Sequence, residues 1–207
     1  MAEPAAARGR PTAHQSAQKR DRILTAAWQV LLETGPELFS LDRVAQAAHA
    51  SKQTIYARFS GKLELLQAVV AERIDTIFPE MHEFHDTGDA HAAFADLANR
   101  AARSLTAPES RMLDQLVDWI DFALAGHRDW PTRRAVYSKA QALICCRLEF
   151  ARDRWQLAIE DISAAAAFWL DSVIGHVRGL PLEGEQFEHW PAMHARYFLQ
   201  AVCEPLN

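Results

Sequence analysis

The chain has 207 residues, 22 Lys and Arg against 27 Asp and Glu, and 49% hydrophobic residues, which is ample for one large core or two small ones and too apolar for a disordered chain. No run of 18 apolar residues occurs, and the N-terminal stretch MAEPAAARGRPTAHQSAQKR lacks a signal peptide's apolar segment, so the expectation is a cytoplasmic globular protein with no membrane span. The net charge of -5 is unevenly spread, since residues 1–62 hold nine Lys and Arg against five Asp and Glu while the rest hold 13 against 22; a basic excess confined to the N-terminal part points to a localised anionic partner.

Residues 1–19 are rich in Ala, Pro, Gly, Gln and Arg without periodicity, and read as a flexible basic arm. Within it Arg8-Gly9-Arg10-Pro11 resembles the core of an AT-hook, two guanidinium groups suited to a narrow A·T-rich minor groove; a solvated tail is the plainer alternative. Residues 20–34 place Ile23, Leu24, Ala27, Trp28 and Leu31 at helical spacing.

Residues 40–62, SLDRVAQAAHASKQTIYARFSGK, read as a helix, a three-residue turn and a second short helix. Ser40 can cap the first, whose Leu41, Val44, Ala45 and Ala48 form one apolar stripe, and Ser51 can cap the second. In the second helix Ile55 and Phe59 share the buried face, which leaves Lys52, Gln53, Thr54, Tyr56 and Arg58 to point elsewhere. Those side chains suit DNA in a helix-turn-helix geometry, with Ser40, Arg43, Ser51 and Lys62 as further candidate contacts. Gln53 is the candidate reader of a base edge, preferably adenine, and Tyr56 and Lys62 the candidate phosphate holders.

Over residues 20 to 70 the pattern resembles the TetR family of bacterial transcriptional regulators. The matching pieces are Gly35, Ser40 with Val44-Ala45, SKQTIYARF from Ser51 to Phe59, and Lys62 followed by Leu65 and Leu66. Two positions depart from the family pattern. Ala48-His49-Ala50 stands where Ala-Gly-Val is usual, so His49 occupies a slot that calls for positive φ, and Phe39 stands where Thr is common.

Beyond residue 62 the pattern stays helical, with predicted helices near 62–78, 89–105, 109–126, 131–155, 159–178 and 186–203. Pro108 and Pro131 sit at starts, and Pro79, Gly126, Gly179 with Pro181, and Gly184 mark stops. The fold class is therefore all-α with nine helices, the number the resemblance implies. The reading divides the chain into the arm at 1–19, a helix-turn-helix domain at 20–62 and a domain at 63–207 that, by the resemblance, senses a ligand and dimerises.

Large apolar side chains in the second domain supply two sets of candidates. Phe78, Phe94, Leu97, Leu116, Trp119, Ile120, Phe122, Ala123, Trp130, Tyr137, Gln141, Ile144, Cys145 and Trp169 are candidate lining for a hydrophobic or aromatic small molecule, although plain core packing accounts for such residues equally. On the last two helices Ile162, Ala166, Trp169, Val173 and Val177 form one stripe and Phe187, Trp190, His194, Tyr197 and Ala201 another, and these are the candidate faces of a four-helix homodimer interface. The run Ala164 to Ala167 would admit a partner backbone closely.

Other constellations read as structural. His82, His85, Asp86, Asp89 and His91 lack a metal-binding framework, and adjacent Cys145 and Cys146 suit packing in a buried helix better than a disulfide or redox sensing. Cys145 has no Cys-His-Asp order, phosphate loop or carboxylate pair beside it, so a Cys-dependent enzyme is disfavoured, and no cofactor motif or metal site is expected. The expectation is a dimeric repressor of a palindromic double-stranded operator, released by a small hydrophobic effector; an activator or protein-recruiting factor of the same fold is the alternative.

Overall fold

The computed structural model describes residues 13–77, 84–125, 130–179 and 185–203. Arg8, Arg10 and Phe78 lie outside them, as does the side chain of Phe187. Among the described residues every regular element is a helix: α1 (Ala13–Thr34), α2 (Leu41–Ala47), α3 (Lys52–Tyr56), α4 (Lys62–Ile77), α5 (Ala90–Thr106), α6 (Pro108–Ala125), α7 (Pro131–Trp155), α8 (Ile162–Gly179) and α9 (Glu185–Cys203). Two compact units divide the chain at Ala71/Glu72, a boundary inside α4 and not at Lys62.

One difference from the sequence reading lies at the start. Helix α1 begins at Ala13, so residues 13–19 of the expected arm are helical. Its first turns, AHQSAQKR, are built from strong helix formers with no apolar stripe, so propensity extends the helix where periodicity gives no signal. In the first unit Ile23, Leu24, Ala27, Trp28 and Leu31 are buried together with Val44, Ala45, Ile55, Phe59, Leu65 and Leu66.

The second unit has a core drawn from α5, α7, α8 and α9, centred on Phe94, Leu97, Ile144, Leu148, Trp169, Val173 and Phe198. Helix α6 adds Leu113, Leu116, Val117 and Ile120. Aspartates start three of these helices. Asp89 accepts the N–H groups of His91 and Ala92 at 2.8 and 3.3 Å, and Asp161 accepts that of Ala164 at 2.9 Å. Asp121, reaching from α6 and only 1% exposed, accepts Thr132 and Arg133 N–H at 2.7 and 2.9 Å. Helix α7 needs that distant cap because Trp130, at its own cap position, is left-handed and its side chain does not cap the helix.

The structure corrects the predicted interface stripes. Ala166, Trp169 and Val173 are buried within their own protomer, as are Trp190 and His194, while Ile162 and Val177 are half-buried. Ala165 and Ala166 are the buried members of the alanine run, so the small side chains serve packing inside the chain. Among the described residues the large exposed apolar side chains of these helices are Phe168 on α8 and Met193 and Tyr197 on α9, at 49, 51 and 60%. The stripe carrying Trp169 turns inward because it buries the larger side chains, which leaves the neighbouring stripe outside.

The predicted pocket residues also separate. Phe94, Leu97, Leu116, Ile120, Ile144 and Trp169 are core, and Trp119 is half-buried. Ala123 is exposed instead of lining an interior, as is Phe122, because they lie past the last packed turn of α6; Trp130 is also exposed. Tyr137, Gln141 and Cys145, four apart on α7, form a seam with α8: Tyr137 Oη donates to Asp171 at 2.9 Å, Gln141 Nε2 to the Ser163 carbonyl at 3.1 Å, and Cys145 Sγ lies 4.0 Å from the Ile162 carbonyl. Burial, with Asp171 beside it, pushes the Tyr137 hydroxyl up to about 12. Burial likewise raises the half-buried Cys145 thiol, whereas Cys146 is exposed and not packed as expected.

His194 ties α8 to α9. Ser172 Oγ donates to the Trp169 carbonyl at 2.8 Å, so the 2.7 Å contact with His194 has Nε2–H donating to Ser172 Oγ. Nδ1, buried and without a hydrogen-bond partner among the described residues, then carries a lone pair, the cheaper of the two buried states. Burial, helped by nearby His176, pushes His194 down to about 4. The folded state thus prefers neutral His194, while the unfolded chain takes up the proton near pH 6.5. His194 stabilisation is fully present above about pH 6.5 and is lost progressively towards pH 4, by at most about 3 kcal/mol. Thermal melts between pH 7 and 4 are expected to show this decline, and His194→Gln, which keeps a donor for Ser172, is expected to flatten it. Equal pH dependence in the two proteins would remove His194 as the source.

Candidate nucleic-acid interface

The reader is built on two serine caps and one left-handed turn. Ser40, extended at φ -138° and ψ 146°, accepts the Arg43 N–H at 3.3 Å and starts α2. Ser51 accepts the Thr54 N–H at 3.1 Å and starts α3, and its hydroxyl also meets Thr54 Oγ1 at 2.8 Å. Between them His49 adopts φ 48°. His49 N–H donates to the Gln46 carbonyl at 3.2 Å and Ala50 N–H to the Ala45 carbonyl at 2.9 Å, the paired bonds of a Schellman motif with His49 in the position glycine usually holds. The positive φ anticipated from the sequence is thus present.

Helix α3 is only five residues long, so it needs packing as well as its cap to hold it. Ile55 is fully buried and Phe59 2% exposed, and the Arg20 guanidinium lies 5.9 Å from the Phe59 ring centroid. On the other side Lys52, Gln53 and Tyr56 stand exposed, Thr54 and Arg58 are half-buried, and Arg43 is exposed on α2. Arg58 is partly committed, because its Nη1 donates to the Thr54 carbonyl at 3.2 Å and closes the end of α3.

Lys62 also has an internal role. Its Nζ donates to the Pro36 carbonyl at 2.9 Å and lies 5.7 Å from the Phe39 ring centroid. Burial draws the ammonium below its ordinary value, opposed by Glu37. The departure to Phe39 therefore supplies a face for this cation. Two contacts escaped the sequence reading: Lys52 Nζ pairs with Asp42 of α2, and Glu64 accepts the Ser60 N–H at 2.6 Å, fixing the chain between α3 and α4. Hydrogen bonding from the Ser60 side chain, together with that N–H bond, holds the Glu64 carboxyl below its ordinary value. The Glu64 contact had a signal in its place three residues into a glycine-started helix; the Asp42 pair, ten residues apart on two helices, had none.

The His and Asp residues between α4 and α5, read from the sequence as lacking a metal-binding framework, are taken up by ion pairs and a helix cap. His85 Nδ1 meets Asp96 at 3.0 Å, Asp86 accepts from Arg154 at 2.8 Å, and Asp89 caps α5; His82 lies outside the described residues. No described helix is long and apolar enough to cross a membrane.

Two capped helices about a tight turn, the second exposing Lys52, Gln53 and Tyr56, define a helical DNA-binding protein of the helix-turn-helix class. Residues 23–69 match the sequence model described as bacterial regulatory proteins, tetR family. A DNA-binding transcriptional repressor TetR from Mycobacteroides abscessus is 47% identical over 66 residues, 32% of this chain and 33% of that protein. Among solved structures, a TetR-family transcriptional regulator from Mesorhizobium loti superposes with a TM-score of 0.70 at 20% identity, over 90% of this chain and 95% of that one. The flavonoid-responsive regulator FrrA gives 0.67 at 22%, over 92% and 100%. Residues 23–69 therefore carry a DNA-binding region of the TetR type, and the described chain shares the fold of TetR-family regulators. Its alignments span from 30 to 48% of the length of the first three curated relatives, and the likeness to the solved structures is one of fold.

The left-handed His49 carries strain that glycine would not. His49→Gly is expected to raise stability by about 0.5 to 1 kcal/mol, the relief of strain exceeding glycine's entropic cost. Chemical denaturation followed in the two proteins measures it, and a loss of stability would mean that the His49 side chain contributes more than its backbone costs.

Proposed function

We propose that this chain is a cytoplasmic repressor that binds a palindromic operator as a homodimer and is released by a small hydrophobic or aromatic effector. The observation that carries the DNA reading is the anchoring of α3 by buried Ile55 and Phe59, which leaves Gln53 exposed near the capped end. In this reading Gln53 reads a base edge, Lys52 and Tyr56 face phosphates, and Ser40, Arg43, Ser51 and Thr54 add backbone contacts. Arg58 and Lys62 act mainly as internal ties, and any phosphate contact by them competes with the Thr54 and Pro36 carbonyls. Selection of bound duplexes from a random pool is expected to yield a palindrome with half-sites ~34 Å apart. Gln53→Ala is expected to cost ~1 to 3 kcal/mol at one operator position only; unchanged sequence preference would remove the base-reading role.

The support for a dimer is the exposed set Phe168, Met193 and Tyr197 on α8 and α9. Tyr197→Glu is expected to yield folded monomers in light scattering, since a charge at a two-fold interface meets buried apolar neighbours. Trp169→Ala is expected instead to cost about 3 to 5 kcal/mol of protomer stability, as removal of a core ring does. A Tyr197→Glu protein that remained dimeric would move the interface elsewhere.

The effector reading rests on the second unit's aromatic interior, where the Trp169 indole N–H is buried without a partner among the described residues. A small molecule with an acceptor would satisfy it, and FrrA, of the same fold, is named as flavonoid-responsive. Helix α4 continues across the boundary between the units, so its displacement by an effector would change the spacing of two readers against a fixed DNA pitch. A compound found by thermal shift is expected to weaken operator affinity ~5- to 150-fold, with DNA weakening the compound by the same factor. Trp169→Phe is expected to reduce that response while leaving ligand-free operator affinity intact. Strengthened operator binding would make the protein an activator or a corepressor-dependent regulator.

A further inference from the structure

Asp42 stands in the first turn of α2 and Lys52 opens α3, so both lie at the helix ends that a helix-turn-helix turns towards DNA. The Lys52 ammonium is paired with the Asp42 carboxylate, and both side chains are well exposed, at 59 and 64%. A cation bound this way does not neutralise a phosphate without giving up its partner, and once it does, an unpaired carboxylate faces a polyanion. An exposed ion pair contributes little to folding. Its consequence therefore falls on binding.

We propose that Asp42 is a specificity-determining residue that holds Lys52 back from the phosphate backbone and lowers sequence-independent DNA affinity. This rests on the reader assignment made above. Non-specific binding scales with the number of phosphates neutralised, whereas base contacts such as that assigned to Gln53 add only at the operator. Holding one lysine back weakens binding to every duplex and protects the dimer from titration by bulk DNA, while the operator keeps its base contacts. The overall charge of -5 fits a protein that limits unspecific attraction.

The test uses the full-length protein with the selected operator and with a random duplex of the same length, across a salt series. Asp42→Asn keeps the side-chain size and removes the charge. It is expected to tighten binding to the random duplex on the order of tenfold and, with one lysine released per protomer of the dimer, to steepen the salt slope by about two, with a smaller operator-to-random ratio. In a Lys52→Ala background the same substitution is expected to lose most of that gain, because the released cation is gone. Three results overturn the proposal: unchanged affinity and slope for both duplexes; weaker operator binding with lost preference at one base pair, which would make Asp42 a base reader; or a fall in melting temperature that tracks the binding change, which would make it a helix-start residue only. Failure of the wild-type protein to bind any duplex would remove the reader assignment itself, and the proposal with it.

Discussion

A helix of five residues does not form by itself, because nucleation costs more than its few hydrogen bonds return. Helix α3 exists because Ile55 and Phe59 are buried against the rest of the first unit and because Ser51 takes one of its orphan N–H groups. Everything the protein presents to DNA depends on that burial. Its shortness is also useful, since a helix one turn and a half long leaves few positions, and Ile55 and Phe59 fix which of them face outwards. Around this anchor the ties converge: Glu64 fixes the chain leaving α3, Lys62 joins α4 to the loop before α2, and the Schellman turn at His49 sets the angle of entry.

The acidic excess of the second part looks at first like a barrier to nucleic acid. Much of it is consumed in holding helix ends. Asp89 and Asp161 cap α5 and α8, and Asp121 caps α7 from α6. Asp114 and Asp118 share Arg133, with Arg178 of α8 joining at Asp114. Carboxylates at helix N-termini meet the positive end of the backbone dipole, so these aspartates are spent on architecture, and the basic excess near the reader remains the charge that an approaching phosphate meets.

The order of helices, both serine caps and the positive φ at His49 were legible because each is a local rule, read within four or five residues. What was not legible involves choosing between faces. On α8 the stripe Ile162-Ala166-Trp169-Val173 and the neighbouring position Phe168 are both apolar, so periodicity says that the helix is buried on more than one side but not which side its own chain covers. The start of α1 was missed for the opposite reason, since a polar helix has no stripe to detect. From their apolar neighbourhood Tyr137, Gln141 and Cys145 read as pocket lining, yet their hydrogen bonds to α8 join residues 17 to 34 positions apart, a distance at which composition carries no information.

Contacts made across helices therefore decide roles that residue type only suggests. Lysine, arginine and glutamine on a reader helix look equivalent in sequence as DNA ligands. The structure separates them by what each already holds: Gln53 is exposed at the capped end of α3, Arg58 bonds a carbonyl of its own helix, Lys62 bonds Pro36, and Lys52 pairs with Asp42. A side chain with an internal partner must give up that partner on binding, whereas one that meets mainly water gives up only its hydration, and each contributes the difference between two interactions. By that measure discrimination should concentrate at Gln53 and general affinity should be shared among the partnered cations, so the reader's selectivity is set as much by what restrains its charges as by what reaches the bases.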